Sequence, residues 1–236
     1  MTAESPIREN VLRVSERIEA AARRAQRGAE EIELIAVSKT HPAEAIREAF
    51  AAGLRHFGEN RVQEWEGKLS ALQDVPATWH LVGHLQSNKA VRAAKAFHCI
   101  DSVDDWPLAE RLNRAQEEKK SGEKLRVLIE MHLGGEESKS GVTAAGLPQL
   151  AERLLSCEHL QFAGLMCIPP FCENPDDARP FFAQLRNYRE ELESRLGIVL
   201  PVLSMGMSHD FEAAIREGST EIRIGTAIFR IRAKPL

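Results

Sequence analysis

Glu33-Leu34-Ile35-Ala36-Val37-Ser38-Lys39-Thr40-His41-Pro42 carries an apolar run into a polar turn, and from Pro42 onward the pattern becomes helical. The same unit of strand, polar turn and helix recurs along the chain. Strand-like runs occupy 33–39, 54–59, 78–82, 97–101, 126–133, 161–167, 202–205 and 221–224. Helical patterns fill 42–52, 61–72, 87–96, 104–120, 143–156, 176–196 and 210–217, and an amphipathic segment spans 5–27. Apolar strands alternating with helices form parallel sheets covered by helices. Eight such units predict an α/β fold, a (β/α)8 TIM-type barrel with an extra N-terminal helix. An open doubly wound sheet is the competing architecture, but its usual G-x-G-x-x-G fingerprint is missing after the first strand. No long linker rich in Pro, Gly or Ser divides the chain, so 1–236 is expected to form a single domain.

Composition narrows the function classes. With 43% hydrophobic and 28% charged residues the chain can bury a substantial core, and a formal net charge of -4 gives no overall attraction to nucleic acid or anionic membrane. No apolar stretch is long enough to cross a bilayer, and residues 1–10 are too polar for a secretory signal, so a cytoplasmic protein is expected. Cys99, Cys157, Cys167 and Cys172 contain no C-x-x-C pair and are expected to be reduced, mostly buried thiols. His80 and His84 are four residues apart, a spacing that shares a metal on a helix, but they sit in a strand entering a loop; no metal is expected.

In a barrel of this kind the chemistry gathers in the loops that follow the strands. Lys39 closes the first strand. Burial at that position would lower its pKa toward the nucleophilic amine, which makes it a candidate Schiff-base lysine. The alternative is a lysine that snorkels to a solvated rim. The turns after the last two strands, Ser204-Met205-Gly206-Met207-Ser208 and Gly225-Thr226, combine small residues, hydroxyls and a charge from Arg223. Loops after strands seven and eight often bind phosphate, because free backbone N–H groups and a short helix favour an anion there. Glycines serving turns and a serine capping the next helix would explain part of this pattern. An imine-forming amine facing a phosphate cradle points to pyridoxal 5'-phosphate.

Longer blocks carry a resemblance. Ala36-Val37-Ser38-Lys39-Thr40, Phe57-Gly58-Glu59-Asn60-Arg61-Val62-Gln63-Glu64 and the block from Trp79 to Lys89 resemble the pyridoxal-phosphate homeostasis proteins of the YggS/PROSC type. So do Gly135-Glu136-Glu137-Ser138-Lys139-Ser140-Gly141, Gly164-Leu165-Met166, Ser204 to Ser208 and Gly218 to Phe229. The resemblance implies a barrel similar to the amino-terminal domain of alanine racemase, with the cofactor held as an aldimine on Lys39. It further implies that the phosphate meets Ser204, Gly225 and Thr226 with backbone help near Met205, and that Arg223 faces the pyridine nitrogen and discourages its protonation. Asn60 and His80 fall in matched blocks as pocket-wall residues, and Glu59 is either a ligand or a partner for a nearby base. His132 stands where relatives commonly have Asn, and Arg230 where they have Gly. His132 is expected to hydrogen-bond within the barrel in preference to touching the cofactor ring. The basic Lys89 and Lys139 could offer a second, noncovalent route for the cofactor, though the reading as solvated surface charges is preferred.

The family is associated with keeping vitamin B6 and amino-acid pools in balance by holding and delivering the cofactor to apoenzymes, without robust turnover. The residues argue in the same direction. The chain's one tyrosine, Tyr188, lies in a charged amphipathic helix of the outer ring and is poorly placed as a second catalytic base. The expected protein is a monomeric carrier of pyridoxal phosphate. The alternatives are a slow racemase or lyase with Lys39 as single base, and an aldolase-type Schiff-base barrel that uses no cofactor.

Overall fold

The computed structural model describes residues 6–134 and 140–229. The apolar runs form eight parallel strands: β1 (Glu33–Val37), β2 (His56–Glu59), β3 (Thr78–Leu81), β4 (Cys99–Val103), β5 (Leu125–Met131), β6 (Leu160–Cys167), β7 (Val202–Met207) and β8 (Glu221–Ile224). They pair in chain order and close into a barrel where β8 meets β1. Before β1 comes the extra helix α1 (Pro6–Arg24), and the connections carry α2 (Ala43–Ala51), α3 (Val62–Leu69), α4 (Ala90–Ala96), α5 (Trp106–Lys119), α6 (Leu147–Leu155), α7 (Arg179–Leu196) and α8 (Phe211–Arg216). A short α9 (Thr226–Phe229) follows β8. The TIM-type barrel with an added N-terminal helix is therefore observed. The fourth strand starts two residues later than its apolar pattern suggests, because the Phe97 N–H closes α4 by donating to Ala93 O. Arg230, a departure noted in the sequence, lies outside the described residues.

Side-chain alternation divides the barrel into an outer shell and an interior. On β5, Val127, Ile129 and Met131 pack into the shell beneath the helices, which leaves Arg126, Leu128 and Glu130 for the inside. On β8, Ile222 and Ile224 join the shell while Glu221 and Arg223 turn inward. Two small apolar groups, Ile35 with Val37 and Val82, and Leu128 with Ala163 and Met166, fill the middle of the interior. A β-carbon on Gly58 would lie 3.0 Å from Ile35 and 3.3 Å from Val82, so the bare backbone there is what admits those side chains. In the shell, Trp65 is fully buried, stacks near Trp79 at 4.0 Å between centroids and donates its indole N–H to Ala96 O at 2.8 Å.

The added helix is amphipathic. Val11, Val14, Ile18, Ala21 and Ala22 recur every three or four residues and face α2, α8 and α9. Asn10 Nδ2 donates to Ile228 O at 2.7 Å, tying α1 to the short helix that follows β8. Among the described residues no helix is long and apolar enough to cross a membrane.

The turn after β7 depends on Gly206, whose φ of +97° is a conformation that side-chain-bearing residues rarely adopt. A β-carbon there would also approach Ala214 Cβ at 2.6 Å and Phe211 Cα at 2.9 Å. Gly206→Ala is expected to cost about 2–3 kcal/mol through combined backbone strain and overpacking. Urea denaturation reads this out as a lower midpoint at unchanged slope; an unshifted midpoint would mean that the β7–α8 junction yields freely.

Candidate functional site

At the carboxyl end of β1 the chain makes a sharp turn. Ser38 is buried, Lys39 and Thr40 are exposed, and Thr40 has a φ of +66°, an outlier for a β-branched residue. Packed groups from the next unit hold that turn. Thr40 N–H donates to the Glu64 carboxylate, and Ser38 Oγ donates to Glu59 Oε1 at 2.7 Å. Lys68 Nζ, one helical turn after Glu64 on α3, donates to Ser38 O at 3.1 Å, Glu59 Oε1 at 2.8 Å and Glu64 Oε1 at 2.9 Å. Burial pushes the Glu59 carboxyl up, against the hydrogen bonds from Lys68 and Ser38. Burial acts the same way on Glu64, but there the bonds from Lys68 and the Thr40 N–H prevail and hold it below the usual range. Glu59 is thus a partner for a base and a brace for the turn.

Lys39 does not sit in a desolvated slot. It is exposed at the barrel mouth, so the buried position expected of it is not found; the turn projects past the strand end. Its side chain lines a cavity of about 420 Å³ together with Asn60, Glu130, Ser208, Arg223, Gly225 and Thr226. The opposite wall gathers hydroxyls and backbone amides. Ser208 Oγ accepts from the N–H groups of Gly225 and Ala227, both at 3.3 Å, and the exposed Thr226 opens α9. Asp210 Oδ1 accepts from Met207 N at 2.6 Å and fixes the loop that carries Ser208. Arg223 is buried, with only 4% exposure, and its guanidinium donates to Ser204 Oγ at 2.6 Å and Cys167 O at 2.7 Å.

Two expected phosphate contacts lie elsewhere. Ser204 is fully buried within the barrel one layer below the mouth, where it holds Arg223, and Met205 points into the outer shell. The register of β7 against β8 shifts between Ser204 and Met207, and the hydroxyl that reaches the cavity is that of Ser208. His80 is displaced further. It is fully buried among residues that begin strands, bonded through Nδ1 to Asp101 Oδ2 at 3.0 Å and through Nε2 to His56 Nδ1 at 3.2 Å, and it does not line the mouth. Burial alone would lower the His80 pKa, but Asp101 raises it well above the ordinary value. His84 does not share its neighbourhood; it pairs with Asp104 at 3.2 Å near the mouth.

His132 is half-buried, its backbone N–H bonded to Val142 O at 2.9 Å, and it does not line the cavity. Lys89 lines an adjoining groove of about 360 Å³ with Arg61 and His84, while Lys139 lies outside the described residues. The four thiols are free, and burial pushes that of Cys167 up to about 12.

Sequence reasoning missed Glu130. It is 6% exposed on β5, faces the cavity, accepts from Ser140 Oγ at 3.3 Å through Oε1 and has no partner on Oε2. Burial and then the nearby Asp104 raise its pKa, outweighing Ser140 and Arg223. The available signal was a carboxylate interrupting an apolar strand at the same parity as Arg126 and Leu128.

The sequence model of the alanine racemase N-terminal domain matches residues 13–233. The chain is 46% identical over 221 residues to the pyridoxal phosphate homeostasis protein of Aquifex aeolicus, covering 94% of this chain and 96% of that one. Its counterpart in Pseudomonas aeruginosa is 45% identical over 229 residues, 97% of this chain and 96% of the relative. Among solved structures, PipY of Synechococcus elongatus with pyridoxal phosphate bound superposes with a TM-score of 0.80 at 44% identity, covering 92% of this chain and 99% of PipY.

A raised native pKa at Glu130 means that the folded protein holds a proton which the unfolded chain releases above the ordinary value of 4.5. That stabilisation is full below pH 4.5 and is lost as pH rises through the native value. Glu130→Gln is therefore expected to gain thermal stability relative to the parent as pH climbs from 4.5 to neutrality. A constant difference in Tm over that range would contradict the assignment.

Proposed function

The chain belongs to the pyridoxal phosphate homeostasis protein family, built on the alanine racemase N-terminal domain, and we propose that it binds pyridoxal 5'-phosphate at the barrel mouth, holds it covalently through Lys39 and delivers it to apoenzymes. The observation that carries this reading is the shared cavity, which has a primary amine on one wall and an anion cradle on the other. PipY, a relative solved with the cofactor, supports it.

The residues present fit the group. The Gly225 and Ala227 amides with the hydroxyls of Ser208 and Thr226 suit a phosphate, and a β-carbon on Gly225 would crowd Val37 O at 3.3 Å. When bound, the cofactor supplies an aldehyde that a primary amine captures reversibly. Lys39 is the capturing amine, presented by the turn that Glu59, Glu64 and Lys68 brace. Its exposure leaves it open to water and to competing amines, which suits reversible loading. Arg223, a fixed cation held by Ser204 and Cys167, would face the ring nitrogen of the bound cofactor and would disfavour a proton there. Asn60 walls the pocket, and Ser204 is a positioning residue acting through Arg223.

Among the described residues no tyrosine lines the cavity to serve as a second base. Tyr188 is on the outer helix α7, its hydroxyl accepting from Gln184 at 2.8 Å, and does not line the cavity. We read the protein as a monomeric carrier working in the cytoplasm, maintaining vitamin B6 and amino-acid balance.

Borohydride reduction of cofactor-loaded protein, followed by peptide mapping, should place the label on Lys39 and lose it in Lys39→Ala. Ser208→Ala should weaken cofactor binding about tenfold, the loss of one hydrogen bond to a charged group. Labelling that persists unchanged in Lys39→Ala would overturn the site. Proton NMR in deuterated buffer with a panel of L-amino acids separates carrier from enzyme. No α-proton loss is expected; Lys39-dependent exchange at turnover-like rates would make the protein a single-base racemase or lyase.

A further inference from the structure

The floor of the barrel, at the opposite end from the mouth, holds a cluster that cofactor binding does not use. Six strands send polar groups into it: Glu33, His56, His80, Asp101, Arg126 and Glu221. We propose that Glu33 Oε1, His56 Nδ1 and His80 Nε2 form a binding site for a divalent cation of the zinc class.

Geometry gives the first argument. The three donor atoms stand 3.2 Å (Glu33 to His56), 3.2 Å (His56 to His80) and 4.0 Å (Glu33 to His80) apart. Ligands about 2.1 Å from a tetrahedral zinc ion lie about 3.4 Å from one another, so the triangle is the right size with little movement. Glu33 Oε1 makes no hydrogen bond of good geometry although it lies 3.2 Å from His56 Nδ1, so it can turn to a cation placed between them.

The surroundings give the second. The other ring nitrogen of His80, Nδ1, meets Asp101 Oδ2 at 3.0 Å, the carboxylate–histidine arrangement that orients a metal-binding imidazole and leaves Nε2 to the ion. Asp101 is 0% and Glu221 1% exposed, and Asp101 Oδ1 and Glu221 Oε1 have no hydrogen-bond partner. Both carboxylates come together with His80 closely enough to share a cation.

Charge gives the third. Glu33, Asp101 and Glu221 contribute three negative charges. Arg126, which donates to Glu221 at 2.6 Å and stands 3.2 Å from His80 Nδ1 and 3.8 Å from Glu33 Oε1, contributes one positive charge. Ligation requires both imidazoles to be without their extra proton, and three carboxylates against one guanidinium then leave two formal negative charges, which a divalent ion balances. Two imidazoles and a carboxylate favour zinc and its neighbours over calcium or magnesium, which prefer all-oxygen shells. A floor cavity of about 400 Å³, lined by Glu30, Glu31, Glu33, Arg126 and Glu221, gives an entry route and room for a water in the fourth position. The ion would tie β1, β2 and β3 together far from Lys39, so the site's role is to staple the barrel.

The test is titration of untagged, chelator-treated full-length protein with Co2+ alone, followed by ligand-field absorption and by the change in Tm. One equivalent should give visible bands of tetrahedral type, raise Tm and be displaced by Zn2+. Glu33 and His56 are only half-buried, so Glu33→Gln and His56→Ala should fold, as judged by far-ultraviolet circular dichroism, and each should weaken binding at least tenfold; His159→Ala should not. Absence of saturable binding at one equivalent, or full affinity retained in both Glu33→Gln and His56→Ala, would overturn the proposal.

Discussion

Strand parity in a closed parallel barrel is the constraint on which everything else depends. Once eight strands pair in sequence and β8 closes on β1, each residue is committed either to the shell under the helices or to the interior, and neighbours take opposite sides. On β5 this commits Arg126 to the floor, Leu128 to the middle and Glu130 to the mouth; on β8 it commits Glu221 to the floor and Arg223 to the mouth. The apolar middle of Ile35, Leu128, Ala163 and Met166 therefore separates two polar ends. Charges buried at the floor carry a desolvation penalty that only mutual pairing offsets, which explains why acids and bases from so many strands meet there.

At the mouth, the same architecture turns loops into a site by bracing them. Lys39 belongs to a turn in which Thr40 is held at an unfavourable φ, and the strain persists because Glu64 captures the Thr40 N–H while Lys68 gathers Ser38 O, Glu59 and Glu64. The brace comes from β2 and α3, the unit next in sequence, so the amine is positioned by its neighbour in the barrel. Across the cavity the facing wall is assembled from the β7 and β8 loops, with Ser208 bonded to the amides of Gly225 and Ala227. One exposed amine, the hydroxyls of Ser208 and Thr226 and one buried guanidinium thus border a single cavity.

Much of this was legible in the sequence. The strand and helix units all survive, with their ends displaced by a few residues, because apolar periodicity reports burial directly but not where an element stops. Lys39, Asn60, Arg223, Gly225 and Thr226 all reach the mouth cavity, since each sits at or just beyond a strand's carboxyl end. Depth inside the barrel was not legible. Ser204 and Ser208 belong to one small polar segment, and only the observed register puts the first beneath Arg223 and the second on the rim. His80 ends up on the floor because its partners His56, Asp101 and Arg126 are on three other strands, a meeting that no local pattern announces. The exposure of Lys39 follows from how far its turn projects, which depends on tertiary bracing rather than on the strand that precedes it.

Delivery from Lys39 can be measured by reactivating a pyridoxal-phosphate-dependent apoenzyme with the loaded protein while a phosphatase destroys any cofactor free in solution. Reactivation should survive the phosphatase and be absent when Lys39→Ala is carried through the same loading procedure. Reactivation abolished by the phosphatase would contradict delivery, because the cofactor would then reach the apoenzyme only by falling free into water.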